Sequence, residues 1–352
     1  MHTDAMSTPK RYLTTVDLAR AAGVSQSTVS RALRNDGQIS RAVAERIQAL
    51  AREMGYRPDP CLSALTAHVR VHRRKPHPAT IVLLRCSSDV PLCDDLYAAG
   101  ARMRADELGY SVSGIDFLQP SMTPARLGTI LRARGIDGLV VLPVGSDVFL
   151  DDLDFSEIAA ATVDLTLHAP CLHRTVPDYF GQMRLALGAL DRAGFRRVAL
   201  CDTAQEHQRF DTTWFGAFLA WQQERPQRQR LPTFTTQDFN QESFVAWYKR
   251  WKPDAIVSNN YCFAEWLIQR GVRIPEDVAF ASLSVDGIHP RCPGIDQQPR
   301  EVGKLAVDLI VEQLHRNERG IPASRKTVLV PGRWLGSSWY FDPIASLPHK
   351  QD

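Results

Sequence analysis

From residue 79 onward, short apolar runs typical of β-strands alternate with longer stretches whose apolar residues recur at helical spacing. The first strand-like run is Ile81–Leu84, and a helical stretch around Leu96–Leu108 follows it. The alternation continues to a last helical stretch at Glu301–His315. Strands separated by helices pair in parallel sheets that carry helices on both faces. The pattern therefore predicts an α/β fold of doubly wound parallel sheets for residues 79–352, with ligands expected beyond the carboxyl ends of the strands.

Positive charge is concentrated near the N-terminus. Residues 1–75 contain 13 Lys and Arg against 6 Asp and Glu, whereas the remaining 277 residues contain 29 against 33. A basic head on a mildly acidic body is typical of a protein whose head alone binds phosphate groups. A solvated basic tail would explain the charge equally well, so the choice between a tail and a phosphate-binding domain depends on the local sequence pattern.

Residues 10–58 have the pattern of a small helical domain. Thr14 is the predicted N-cap of a first helix, which Gly23 ends in a tight turn. A second predicted helix, Gln26–Arg34, follows the potential cap Ser25. A helix, a glycine-containing turn and a second helix form the arrangement that places the second helix in the major groove of DNA.

A third predicted helix begins after Ser40 and ends at Gly55. The apolar residues of the three helices recur at helical spacing and form the expected core: Val16, Leu18, Ala19, Ala22, Val29, Leu33, Val43, Ile47, Leu50 and Met54. A three-helix bundle with an ordinary polar surface is the alternative to a DNA-binding domain. Short polar side chains and arginine on the middle helix favour DNA binding, because such groups contact base edges and phosphates.

The stretch LTTVDLARAAGVSQSTVSRALRNDGQISRAVAERIQALAREMGYRPDP resembles the DNA-binding domain of the LacI/GalR regulators. The match runs through VDLARAAGVSQSTVSRAL and returns at GYRP. The resemblance implies that Gln26, Ser27 and Arg31 face bases in the major groove. It also implies that Thr14, Ser30 and Ser40 contact phosphates, and Thr28 and Arg34 complete the predicted set of DNA-binding residues.

Residues 59–78 correspond to the hinge of that family and form a predicted hinge helix and basic linker. The resemblance implies that this helix pairs with its dimer mate in the minor groove, with Leu65 wedged into a base step. The segment departs from the family at Asp59, Leu62 and Ser63, where Asn, Ala and Arg are usual. A plain basic linker is the alternative, and the run RVHRRK would bind phosphate in either case.

The body contains further phrases similar to the same family, among them RARGIDGLVVLP, GALDRAGFRRVAL and GVRIPEDVAFASL. The resemblance implies two lobes like those of periplasmic binding proteins, a cleft between them, and a homodimer on operator DNA. It implies a small-molecule effector in the cleft, carbohydrate-related in many relatives. The predicted effector-binding residues are Ser87, Asp89, Asp164, Phe239, Asn259 and Gln298.

Two departures concern the charges that usually bind sugars or purines in this family. The arginine that precedes a Gly-aromatic pair is replaced by Thr213, and a strand-end aspartate is replaced by Ser284. Arg209 or Asp286 would be nearby substitutes. A weak response to common hexoses is therefore expected.

Enzymatic function is not expected. The chain has no GxGxxG after the first strand, no GxSxG, no HExxH and no P-loop, so catalytic residues and cofactors are predicted to be absent. His168 and His173 are the pair that most resembles a metal site, and a surface loop is the favoured interpretation, with no metal.

Two other binding functions remain as alternatives. A secreted solute-binding receptor would share the body, but the polar residues 1–10 do not have the pattern of a signal peptide. A non-specific nucleoid protein would share the basic head but leaves the large body without a purpose. Seven scattered cysteines without a CxxC pair, and apolar runs too short for a membrane span, favour a cytoplasmic protein that does not bind membranes.

Overall fold

The computed structural model describes residues 13–33, 39–56, 79–87, 92–145, 148, 150–204, 212–236, 240–285, 291–336 and 338–342. The chain divides into two compact units: the residues before position 79, which contain the head and are grouped with Glu312–Glu318, and the remaining residues from Ala79 onward, which form the body.

The head consists of three helices: α1 Thr15–Ala22, α2 Gln26–Ala32 and α3 Arg41–Glu53. Their apolar faces enclose a small core, with the most deeply buried members Leu18, Ala19, Val29, Ala32, Ile47 and Ala51. The predicted three-helix arrangement is confirmed.

Local hydrogen bonds begin the first two helices and a glycine ends the first. Thr14 Oγ1 accepts from the Asp17 amide at 3.3 Å, and the Thr14 amide donates to the Asp17 carboxylate at 2.9 Å, which completes a capping box. Ser25 Oγ accepts from the Thr28 amide at 3.1 Å. Gly23 has a φ of 66°, in the left-handed region that glycine adopts without a steric penalty.

Two details of the head differ from the sequence prediction. Val16, expected in the core, is 45% exposed because it lies two positions before Leu18 and therefore on the opposite side of α1. Ser40 occupies the N-cap position of α3, but its side chain makes no capping hydrogen bond.

The body alternates strands and helices over most of its length. In chain order its elements are β1 Thr80–Cys86, α4 Leu92–Glu107, β2 Ser111–Asp116, α5 Pro124–Ala133, β3 Gly138–Val144, β4 Ala159–Val163, β5 His173–Pro177, α6 Tyr179–Arg192, β6 Val198–Thr203, α7 Thr213–Gln223, a 3₁₀ turn Gln227–Gln229, β7 Phe234–Thr236, α8 Gln241–Trp251, β8 Ala255–Ser258, α9 Cys262–Gln269, β9 Ala279–Ser282, β10 Gly294–Asp296, α10 Pro299–Arg316, β11 Thr327–Val330 and β12 Arg333–Leu335.

Two six-stranded sheets define two lobes. The sheet of lobe 1 has the order β11-β5-β4-β3-β1-β2, and all its neighbouring strands are parallel. The sheet of lobe 2 has the order β12-β10-β9-β8-β6-β7 and is parallel except for the antiparallel pair β10–β12. The predicted two-lobed, doubly wound fold is confirmed.

The chain passes between the lobes three times: from β5 to α6, from β10 to α10, and from β11 to β12. Helix α6 packs in lobe 2, where Met183 shares a core with Leu200 and Val257. Helix α10 returns to lobe 1, where Thr175 Oγ1 of β5 donates to the Val302 carbonyl at 2.9 Å. Lobe 1 is therefore completed by α10 and β11, which follow most of lobe 2 in the chain.

The sequence pattern does not predict four short strands, β5, β10, β11 and β12. Strand β5 reads HRTVP, yet all five of its residues are buried. His173 Nδ1 accepts from the Lys326 amide at 3.0 Å, so the expectation of a surface loop at His173 is wrong. Arg174 donates to the Leu167 carbonyl at 2.6 Å. Hydrogen bonds to distant residues allow polar side chains to be buried here, and local sequence does not reveal such partners.

Apolar side chains cover both faces of each sheet. In lobe 1, Val82 and Leu84 pack with Leu127 and Leu131 of α5, while the alternate residue Ile81 is buried on the other face. In lobe 2, α8 and α9 contribute to an aromatic cluster of Phe234, Phe244, Trp247, Phe263, Trp266 and Phe280. Strands buried on both faces are typical of parallel sheets.

Among the residues that the structure describes, Cys86, Cys171, Cys201, Cys262 and Cys292 form no disulfide bond. Burial, reinforced by Asp116, raises the pKa of the Cys86 thiol to about 12. Burial also raises the pKa of Cys292 to about 12, and burial with the nearby Asp202 raises the pKa of Cys201 well above its ordinary value. These three thiols are therefore protonated, and unreactive, at neutral pH.

Helices α4 and α10 approach each other closely through two glycines. A Cβ atom at Gly303 would overlap the carbonyl oxygen of Tyr97, and one at Gly100 would overlap the carbonyl oxygen of Arg300. The contact is reciprocal, so each helix needs a residue without a side chain where it meets the backbone of the other. This contact holds α10 against lobe 1.

Gly303→Ala should destabilise the protein, because the added methyl group meets backbone that cannot move aside. We expect the free energy of unfolding to fall by about 2 kcal/mol or more, as for other overpacked cores, measured by thermal or urea unfolding of the full chain. The control is Gly216→Ala in α7, where a Cβ atom would meet nothing within 4 Å. Since alanine favours helix, that variant should be neutral or slightly stabilising. Equal effects of the two substitutions would contradict the close contact.

Candidate functional sites

Helix α2 of the head presents polar side chains to solvent. Gln26, Ser27 and Arg31 are exposed, whereas Val29 and Ala32 are buried in the core of the head. Positions 27 and 31 are one helical turn apart and therefore share a face. The outer face of α2 thus combines an arginine with short polar groups, which is the chemistry that hydrogen-bonds to base edges.

Hydrogen bonds orient the first residues of α2. Gln26 Nε2 donates to Thr15 Oγ1 at 2.9 Å and so joins the first turns of α2 and α1. Ser25 Oγ lies 2.7 Å from Ser27 Oγ and 2.8 Å from Thr28 Oγ1. The amide and hydroxyl groups at this end of the helix are therefore held in a fixed arrangement before any partner binds.

The other predicted DNA-binding residues of the head differ in accessibility. Thr28 and Ser30 are half-buried, while Thr14 and Ser40 are exposed. The Thr14 hydroxyl donates to the Asp17 carboxylate at 2.8 Å, so its helix-capping role competes with a phosphate contact. Ser40, which makes no capping bond, has no such competition from α3.

Several predicted site residues lie outside the part of the chain that the structure describes: Arg34, Leu65, Asp89, Phe239, the possible substitutes Arg209 and Asp286, and the whole hinge at 59–78.

In lobe 1, two predicted effector-binding residues follow parallel strands. Ser87 comes after β1 and is half-buried. Asp164 comes directly after β4, is 1% exposed, and has a φ of 68°. Its Oδ1 accepts from the Leu165 amide at 2.7 Å. Because β1 and β4 belong to one parallel sheet, both residues lie at its carboxyl edge, where such sheets bind ligands.

Lobe 2 provides neutral groups at the equivalent edge. Asn259 follows β8 and is half-buried, and Thr213 is the first residue of α7. Ser284 lies two residues after β9, where its amide donates to Ser282 Oγ at 3.1 Å and its carbonyl accepts from the same hydroxyl at 2.8 Å. Positions 213 and 284 therefore contribute no charge to this edge.

Gln298 lies where the chain passes from β10 to α10. Its amide N–H donates to Asp296 Oδ1 at 2.8 Å, and its side-chain Nε2 donates to the Pro331 carbonyl at 2.6 Å. The side chain thus links two of the passages between the lobes. A role in binding an effector would use its remaining carboxamide oxygen.

Sequence reasoning missed two residues at these edges. Tyr179, the first residue of α6, donates its hydroxyl to Asp164 Oδ1 at 2.7 Å. Asp202, near the end of β6, is 5% exposed and accepts from the Thr203 amide at 2.8 Å. Asp202 directly follows the apolar run VALC, so the strand-end rule would have found it. Tyr179 follows β5, which the sequence pattern does not reveal.

No cluster of three or more His, Cys, Asp or Glu suitable for a metal ion occurs among the residues that the structure describes. None of the helices in this part of the chain is both long and apolar enough to cross a membrane.

Two family descriptions match the chain. Residues 14–59 match the bacterial regulatory proteins of the lacI family, and residues 187–335 match the periplasmic binding protein-like domain. The first match covers the helix-turn-helix head, and the second covers most of lobe 2 together with both returning passages.

Curated relatives match over most of the chain. The sucrose operon repressor of Escherichia coli is 27% identical over 281 residues, which cover 75% of this chain and 81% of the relative. The ribose operon repressor of Escherichia coli (strain K12) is 24% identical over 338 residues, covering 85% of this chain and 92% of the relative.

Solved structures share the fold. A Lac repressor dimer bound to operator and the anti-inducer ONPF has a TM-score of 0.54 at 19% identity, covering 93% of this chain and 98% of that one. A complex of the transcriptional regulator CelR with cellobiose has a TM-score of 0.52 at 18% identity, covering 92% of this chain and 98% of that one.

A helix-turn-helix head joined to a two-lobed body of this topology defines a DNA-binding transcription regulator. The head matches the lacI family of bacterial regulatory proteins, and the relatives that match most of the chain include operon repressors. A solute receptor without a regulatory role is not favoured, because residues 14–59 match the family's regulatory domain.

Thr14→Ala should loosen the first helix of the head, because it removes the capping box. We expect the α1 amides of the full-length protein to exchange with deuterium about fivefold faster, the equivalent of about 1 kcal/mol for a lost N-cap. Thr14→Ser keeps the hydroxyl and should exchange like the unmodified protein. If the α1 amides exchange at the same rate in Thr14→Ala and Thr14→Ser, the hydrogen bonds with Asp17 do not stabilise α1.

Proposed function

We propose that the protein is a repressor that binds a pseudo-palindromic operator as a homodimer. The observation that carries this proposal is the outer face of α2, where Gln26, Ser27 and Arg31 are exposed on a helix-turn-helix. Curated relatives named as operon repressors support it. A two-fold dimer presents two recognition helices, so its binding site should be nearly palindromic.

The proposed dimer is supported by exposed apolar side chains in lobe 1. Met103 on α4 is 48% exposed, and Leu118 just after β2 is 40% exposed. The solved Lac repressor similar to this chain is described as a dimer bound to operator. Burial of such side chains between two copies would offset the cost of holding two heads at a fixed spacing.

Operator binding can be tested by selecting genomic fragments with the full-length protein and footprinting the selected site. Arg31→Ala should weaken binding to that site by about 1–3 kcal/mol if the guanidinium contacts a base through two hydrogen bonds, measured by fluorescence anisotropy. The control is Arg52→Ala, which removes the same charge from the exposed end of α3. That variant should lose the same affinity for the selected site and for scrambled DNA. Equal affinity of the unmodified protein for both DNAs at physiological salt would refute sequence-specific binding.

We further propose that a small polar molecule binds between the lobes and changes the affinity for operator. The carboxyl edges of both sheets supply hydrogen-bond acceptors, with the buried carboxylates Asp164 and Asp202 among them. Acceptors of this kind suit a ligand that donates hydroxyl or amine hydrogens, such as a carbohydrate-related polyol. The neutral Thr213 and Ser284 argue against tight binding of common hexoses, since charge-assisted hydrogen bonds are the stronger ones.

The effector can be sought by thermal-shift screening of the full-length protein against sugars, polyols and amines. A molecule that binds the folded state at 100 times its dissociation constant stabilises it by about 2.7 kcal/mol. Asp164→Asn should abolish that shift for the correct molecule, because the carboxylate acceptor is lost. Asp152→Asn, the same change at an exposed turn, should leave the shift intact. An effector that binds Asp164→Asn unchanged would remove Asp164 from the site.

We propose that the protein acts in the cytoplasm, without catalysis, a cofactor or a membrane partner. The lack of catalytic motifs in the sequence supports this. Operator DNA and one small molecule would then be its ligands, and the change in lobe geometry on effector binding would link them.

A further inference from the structure

The boundary between the lobes contains a hydrogen bond between two nearly inaccessible side chains. The Tyr179 hydroxyl donates to Asp164 Oδ1 at 2.7 Å. Tyr179 is 2% exposed and Asp164 is 1% exposed. A hydrogen bond to an ionised acceptor that is shielded from water is among the stronger kinds in proteins.

The two partners belong to different lobes. Asp164 follows β4 of lobe 1, where its amide donates to the Thr175 carbonyl of β5 at 2.9 Å. Tyr179 begins α6 and packs in the core of lobe 2, where its ring meets Trp214 edge to face with 5.3 Å between centroids. Each end of the hydrogen bond is therefore fixed in its own lobe, so a change in the angle between the lobes must stretch or break it.

Gln182, one turn further along α6, supplies an independent observation at the same boundary. Its side chain is 1% exposed, and neither its Nε2 nor its Oε1 forms a hydrogen bond with any residue that the structure describes. It packs against Gly332 in the passage from β11 to β12, where a Cβ atom would lie 2.6 Å from Gln182 Cγ. A buried carboxamide without partners is unfavourable, so this boundary favours a second arrangement that satisfies it.

We infer that the first turn of α6 is a latch between the lobes, closed in the described state by the hydrogen bond from Tyr179 to Asp164. The latch holds the lobes in one arrangement without any effector. If Asp164 belongs to the effector site, as proposed above, an effector must donate a hydrogen to this carboxylate in place of the Tyr179 hydroxyl. Tyr179 is then a positioning residue that sets which donors the site accepts.

The latch can be tested on the full-length protein alone, by hydrogen–deuterium exchange of peptides that cover residues 164–168 and 178–183. Tyr179→Phe removes only the hydroxyl and should speed exchange in both peptides about tenfold, while the strands β3 and β8 exchange as before. Tyr248→Phe makes the same change at a partly buried tyrosine that packs against the aromatic cluster of lobe 2, and it should leave exchange in the two boundary peptides unchanged. If Tyr179→Phe only destabilised the fold, exchange would instead become faster throughout both lobes.

A double variant tests whether the two side chains act through each other. Asp164→Asn should speed exchange at the boundary, since a neutral acceptor is weaker, and asparagine tolerates the positive φ at this position. Added to Tyr179→Phe, it should have almost no further effect, because the hydrogen bond is already lost. Full additivity, or no change in Tyr179→Phe, would overturn the latch.

Gln182→Met tests the second arrangement with a side chain of similar volume. Without a carboxamide to satisfy, the described state should open less often, so exchange in the two boundary peptides should slow several-fold. Faster exchange would show that the carboxamide stabilises the described state, which contradicts the inference. None of these measurements uses DNA or an effector, so their failure and the failure of operator or effector binding are separate outcomes.

Discussion

Parallel pairing is the constraint on which the rest of the body depends. A parallel strand cannot return through a short turn, so parallel neighbours need a longer crossover. Most of the crossovers here contain a helix, and these helices cover both faces of each sheet. The same geometry collects the carboxyl ends of all the parallel strands at one edge. The residues that follow β1 and β4 in lobe 1, and β6 and β8 in lobe 2, therefore lie at the carboxyl edges of their sheets without being neighbours in sequence.

The three passages of the chain between the lobes connect the two sheets and limit how the lobes can move relative to each other. Helix α6 follows the last consecutive strand of lobe 1 and packs in lobe 2. Helix α10 follows β10 of lobe 2 and packs against α4 of lobe 1 through close contacts at Gly100 and Gly303. Because the passages are short, the lobes can change their angle only at a few bonds. The hydrogen bond between Tyr179 and Asp164 lies at one of them, as does the bond from Gln298 to the Pro331 carbonyl.

The head is stabilised by a different balance of forces. It is too small to bury much apolar surface, so local caps matter more than they do in the body. The capping box of Thr14 and Asp17 and the cap at Ser25 begin α1 and α2 at defined residues. The side chains on the outer face of α2 are therefore not needed for packing, and Gln26 is oriented by its hydrogen bond to Thr15.

Local patterns in the sequence predict the three helices of the head, the order of most strands and helices in the body, and the strand-end position of Asp164, because caps, glycine turns and apolar periodicity are local. Val16 is exposed although it belongs to the predicted apolar set, since its position two residues before Leu18 puts it on the opposite side of α1. The burial of HRTVP as a strand depends on long-range contacts, because His173 accepts a hydrogen bond from the amide of Lys326, far away in sequence. The contact of Tyr179 with Asp164 depends on them too, since that hydrogen bond exists only after the chain has passed from one lobe to the other.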